Sequence, residues 1–158
     1  MSARSTDPGE RVAAAALACV GVRFRLHGRV PATGLDCVGL AAWALRAGGH
    51  ADAVPTGYAL RGGDPLAVAA LLDAGMARSD GARAGDLLLM RTGPGQLHCG
   101  IRTPGGLVHA DAGARRVVVR PGAVPWAVLG AWRVAPAPTP AAAQAVPLPR
   151  AGEGGRKG

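Results

Sequence analysis

Cys37, His98 and His109 are the side chains of this chain whose types and order could carry out nucleophilic acyl transfer. A cysteine attacks as its thiolate, so it needs surroundings that favour the anion. It also needs a base within hydrogen-bond reach, and that base needs a partner to fix its orientation. Cys37 follows Asp36, a residue suited to cap a helix. The spacing therefore predicts Cys37 at a helix N-terminus, where unpaired backbone N–H groups and the helix dipole both favour a thiolate. Such a position can lower a thiol pKa from ~8.5 to ~3.5–7.5. The same N–H groups can hold a developing oxyanion.

The chain has four histidines, and two of them sit in strand-like segments. His98 lies in Leu97-His98-Cys99-Gly100-Ile101 and His109 in Leu107-Val108-His109-Ala110. If Pro104-Gly105 makes a two-residue turn, or 103–106 a four-residue loop, residue i faces residue 209 − i. His98 then faces Asp111, and His109 is diagonal to His98 on the same face, about 7–8 Å away between Cα atoms. A three-residue turn would put the two imidazoles on opposite faces. An even-numbered turn is thus a requirement of the site: His109 then binds one nitrogen of His98 and determines which nitrogen meets the thiol.

The elements that must position these residues can be read from caps, periodicity and turn signals. Asp7 and Pro8 start a helix over 9–20. A second helix is opened by Cys37, continues through Arg46 and ends at Gly48-Gly49. Asp64 and Pro65 start a third over 65–76. After Gly81 the pattern becomes strand-like over 86–90, 97–102, 107–110, 115–120 and 129–134. Helices first and short strands after predict an α+β domain, N-terminal helices packed on a small antiparallel sheet of about five strands. The 158 residues suffice for one domain, expected over 1–134. Residues 135–158, rich in Pro, Ala and Gly, are expected to form a disordered tail.

Composition narrows the function classes. The formal net charge is +8, which favours polyanionic partners. Almost all of that charge is Arg in an Ala-, Gly- and Pro-rich chain, so compositional drift explains part of it. There is no basic run with interleaved aromatics and no zinc-finger spacing, so nucleic acid is not an expected partner. No run of about 18 apolar residues is present to span a membrane. Arg4 and Arg11 precede an apolar stretch over 12–20, but Asp7, Pro8 and Glu10 interrupt the would-be basic region of a signal peptide, and a first helix is the better reading. Three cysteines, Cys19, Cys37 and Cys99, argue against a disulfide framework. Cys37, His98 and His109 could instead ligate zinc, but they lack paired ligand spacing and an evident fourth ligand. No metal and no cofactor is therefore expected.

Five motifs occur in the order found in a known family. Gly34-Leu35-Asp36-Cys37-Val38-Gly39-Leu40 resembles the D-C-S-G-L nucleophile motif of NlpC-type cell-wall cysteine peptidases. Gly21-Val22-Arg23-Phe24 resembles the family's G-x-P-Y segment, Ala84-Gly85-Asp86-Leu87 its P-G-D-L strand start, His98-Cys99-Gly100-Ile101 its H-V-G-I motif, and His109-Ala110 its closing polar residue. The resemblance runs from about Glu10 to Val134. It implies a papain-like fold and hydrolysis of peptide bonds in peptidoglycan stem peptides, with Cys37 as nucleophile, His98 as base and His109 as orienting residue. Phe24, His27 and Asp36 become the candidate substrate-binding residues. Phe24 stands where the family has Tyr, and His27 is the nearby residue able to replace the lost hydroxyl. Asp36 reads first as a helix cap, and Cys99 is expected to point into the core. The compact form is most like variants associated with phage tails or gene-transfer particles. It implies synthesis in the cytoplasm and action on the wall within such a particle or after release.

Overall fold

The structure, a computed structural model, describes residues 7–50 and 62–135. The tail expected from residue 135 lies outside the described residues from 136 onward, as does most of the loop before the third helix. The first half contributes α1 (Pro8–Ala18), β1 (Arg29–Val30), β2 (Gly34–Leu35), α2 (Cys37–Ala47) and α3 (Pro65–Asp73). The second contributes β3 (Ala77–Arg78), β4 (Leu87–Gly93), β5 (Gln96–Thr103), β6 (Gly106–Asp111), β7 (Arg116–Arg120) and β8 (Ala127–Arg133).

All three helices begin where their caps predict. Asp7 accepts from the Glu10 N–H, Asp36 from Gly39 and Asp64 from Leu66. α1 and α3 stop earlier than the apolar pattern predicts. Beyond them the chain turns, with Cys19 N–H donating to the Ala16 carbonyl and Gly75 N–H to that of Leu72.

The antiparallel sheet runs β3-β8-β4-β5-β6-β7 and has six strands rather than about five. The additional strand, β3, is a two-residue edge pairing with β8, too short to show alternation. β1 and β2 form a separate two-residue ribbon ahead of α2, in a segment expected to be loop. The decisive register is as expected: Ile101 pairs with Val108, Arg102 with Leu107 and Thr103 with Gly106.

Leu87-Leu88-Leu89-Met90 is an unbroken apolar run because both faces of β4 are covered. Leu87 and Leu89 join the main core with Val12, Ala16, Leu40, Leu45, Cys99, Ile101 and Trp132. Leu88 and Met90 join a smaller cluster on the other face with Leu107 and Ala131, and Trp126 packs against it. Asp86, fully buried, meets Arg133 at 2.8 Å and accepts from the Arg83 N–H. The acidic residue of the Gly85-Asp86 motif thus ties the start of β4 to the end of β8. Among the described residues no helix is long and apolar enough to cross a membrane.

Candidate active site

Cys37 is the first residue of α2, and its cap does more than start the helix. Asp36 Oδ1 accepts from Gly39 N–H and from Arg29 Nη1, both at 2.8 Å, while Oδ2 accepts from His27 N–H at 2.8 Å. One carboxylate therefore clamps residues 27–29 onto the head of α2. Gly39 permits this approach, since a Cβ there would collide with the Gly28 carbonyl. Asp36 borders the site, but its oxygens are committed to holding the scaffold. His27 is exposed with φ +63°, its backbone shaped by the same clamp.

On the sheet, His98 Nε2 and His109 Nδ1 are 2.9 Å apart. This is the same-face diagonal that the two-residue turn predicts. Trp126 stands edge-on to both rings, with centroids 5.8 Å from His98 and 5.3 Å from His109. His109 is 2 % exposed, so it is a buried residue and not a solvent-facing one. Burial first, then the charge of His98, hold its pKa down to about 4; Asp111 pulls the other way, and Arg120 adds a smaller lowering. A neutral His109 can accept at Nδ1 from His98, which leaves its own proton on Nε2.

That shift carries a stability consequence. An unfolded chain protonates this imidazole below its ordinary 6.5, whereas the folded chain resists until about pH 4. The contribution is thus fully present above about pH 6.5 and is lost as pH falls toward about 4, by at most on the order of 3 kcal/mol. Urea unfolding midpoints measured over this range are expected to fall more steeply for the wild type than for His109→Asn. Parallel slopes would show that other groups carry the acid sensitivity.

Cys37 is 8 % exposed, yet its thiol pKa is lowered from 9.0 to about 5. A hydrogen bond from the Cys99 side chain is the largest cause; desolvation opposes it, and a hydrogen bond and charge from His98 add to the lowering. Cys99 points into the core as expected, but the core at that point is the head of α2. Its Sγ donates to the Cys37 carbonyl at 3.3 Å. The reactive-type residues open into a groove of about 810 Å³ whose lining includes Phe24, Leu26, His27 and Trp126. Phe24 and His27 thus lie at the groove with Cys37 and His98. Among the described residues no cluster of His, Cys, Asp or Glu is arranged to hold a metal ion.

Two contributors were not assigned to the site from sequence. Cys99 was placed only in the core, because strand alternation turns it away from His98. Trp126 lies beside Pro125 just before β8, and nothing local to that segment signals that the fold sets it against both histidines.

No family profile matches the sequence, and no curated protein sequence does. Solved structures do resemble the fold. NlpC1 from Trichomonas vaginalis superposes with a TM-score of 0.64 at 20% identity, over 84% of this chain and 46% of that one. This chain therefore spans about half the length of that protein. The NlpC/p60 domain of the peptidoglycan hydrolase SagA gives 0.56 at 24% identity, over 80% of this chain and 98% of the domain. RipD from Mycobacterium tuberculosis, described as a non-catalytic NlpC/p60 domain protein adapted to peptidoglycan binding, gives 0.54 at 18% identity over 84% of this chain and 100% of its own. With three N-terminal helices, a six-stranded antiparallel sheet and these neighbours, the chain has the NlpC/p60 fold.

Proposed function

We propose that this chain is a cysteine peptidase or amidase that cuts peptide bonds in peptidoglycan stem peptides. The observation that carries the reading is geometric: Cys37 at the head of α2 lines one groove with His98, whose Nε2 is 2.9 Å from Nδ1 of the buried His109. The lowering of the Cys37 thiol pKa to about 5 supports it. In this mechanism the Cys37 thiolate attacks the amide carbonyl. The Cys37 and Val38 N–H groups precede the first intrahelical donor, Leu40, so neither is used by the helix ladder, and both can stabilise the oxyanion. The C–N bond breaks as His98 gives its proton to the leaving amine, which leaves a thioester. His98 then takes a proton from water, and the hydroxide released onto the thioester frees the acid and regenerates Cys37. His109 keeps His98 oriented throughout.

The substrate class is supported by the SagA domain, described as part of a peptidoglycan hydrolase. RipD, described as non-catalytic, gives the rival reading: a wall-binding component that keeps the fold without turnover. Phage-tail or gene-transfer-particle partners stay an expectation from the sequence. Mass spectrometry of defined muropeptides incubated with the wild type is expected to show paired fragments and new free amines. Binding to sacculi without any new amine would overturn the hydrolase reading in favour of the structural one.

A further inference from the structure

We propose that Cys99 is a positioning residue for the nucleophile: its buried thiol holds the first peptide unit of α2 and donates its single proton to the Cys37 sulfur when that sulfur ionises. The inference rests on Cys37 being the nucleophile. Cys99 lies on β5 immediately after His98, is 5 % exposed and has its sulfur 3.3 Å from the Cys37 carbonyl oxygen. Packing alone does not call for a thiol here. A valine of similar volume would fill the same space without a donor.

A thiol carries one proton, and two acceptors on Cys37 compete for it. The carbonyl is neutral and also belongs to the helix ladder. The ionised sulfur bears a full charge and is the stronger acceptor, since hydrogen bonds to ions are roughly twice as strong as neutral ones. In this proposal the S–H swings from the Cys37 carbonyl, 3.3 Å away, to the ionised sulfur of the same residue, so no bond is broken and no atom leaves the pair. The hydrogen bond with the Cys37 side chain, then burial, then the charge of the Cys37 thiolate raise the Cys99 thiol well above its ordinary range, so it stays protonated and remains a donor while Cys37 is the anion. The reciprocal effect is the largest cause lowering Cys37. One sulfur is thus kept as a permanent acid so that the other can be a base and nucleophile. His98 is left free to exchange protons with substrate and water.

The test is the pH dependence of Cys37 alkylation by iodoacetamide, with the modified residue located by mass spectrometry. The full chain is used as wild type, Cys99→Val and Cys99→Ser. The wild-type rate is expected to rise with a midpoint near the thiol's pKa of about 5. Cys99→Val is expected to react about tenfold more slowly at about pH 5.5 and equally fast at about pH 9, where both thiols are ionised. Cys99→Ser, which retains an O–H donor, is expected to keep most of the low-pH rate. An unchanged profile in Cys99→Val would overturn the proposal. Equal slowing of both variants at every pH would also overturn it, since that pattern marks a packing defect. If Cys99→Val does not fold, Cys99→Ala supports the same comparison. Alkylation needs no wall substrate, so a failure to cut peptidoglycan would remove the hydrolase reading while leaving this result interpretable.

Discussion

Cys37→Ala is expected to abolish the release of new amines from purified peptidoglycan, a loss on the order of 10⁴-fold or more. No neighbouring group can replace the lost nucleophile. Cys99, the adjacent sulfur, is 5 % exposed, and its burial, which the substitution leaves in place, still disfavours its thiolate. The substitution should leave the scaffold in place, because the contacts that fix the head of α2 come from the Asp36 carboxylate and not from the sulfur. Ala is also the best helix former, and the volume lost is that of one sulfur atom. A melting temperature within a few degrees of the wild type is therefore expected beside a complete loss of turnover. Retained activity in this variant, or activity that disappears only on chelation, would favour the zinc arrangement weighed from the sequence. Binding to sacculi should persist, since the groove walls at Phe24, Leu26 and Trp126 are untouched.

What the sequence made legible was whatever a local rule could fix. Asp36 before Cys37 predicts a capped helix start, and that local chemistry holds whatever the tertiary surroundings. The imidazole pair was legible for a similar reason. A two-residue turn at Pro104-Gly105 sets the parity of the hairpin, and parity alone puts His98 and His109 on one face. Elements of two residues, β1, β2 and β3, give no periodicity to detect, so the sheet gained an edge and the loop before α2 gained a ribbon. The roles of Asp36 and Cys99 were legible only in part, because each depends on a contact between segments remote in the chain. The Asp36 cap follows from its neighbour, but its hold on His27 and Arg29 requires the ribbon. Alternation sends Cys99 into the core, yet no linear pattern states that the core there contains the Cys37 peptide unit, 62 residues earlier.

His98→Ala is expected to lower hydrolysis by about 10³–10⁴-fold, comparable with the loss of a general base that also protonates the leaving group. It should also weaken the thiolate. With the hydrogen bond and charge of His98 gone, the Cys99 thiol and backbone still favour the anion, but desolvation opposes them with less compensation. The Cys37 pKa should therefore move up from about 5 toward its ordinary 9.0. The sign for activity follows: thiolate is lost as pH falls through the folded-state pKa, so the acid limb of any residual activity should shift to higher pH. His98→Gln separates the two roles, because its amide can still donate to His109 Nδ1 and so keeps that buried nitrogen satisfied, but it cannot shuttle a proton. The His98→Gln variant should thus match the wild type in stability more closely than His98→Ala does, while remaining as inactive in muropeptide cleavage. Wild-type turnover by His98→Gln would move the base elsewhere, and His109 would not be a ready substitute, since a ring held neutral to about pH 4 is a poor proton carrier near neutrality. The pairing at 2.9 Å then makes chemical sense as a division of labour: one imidazole is exposed enough to exchange protons, and the other is buried so that it does not.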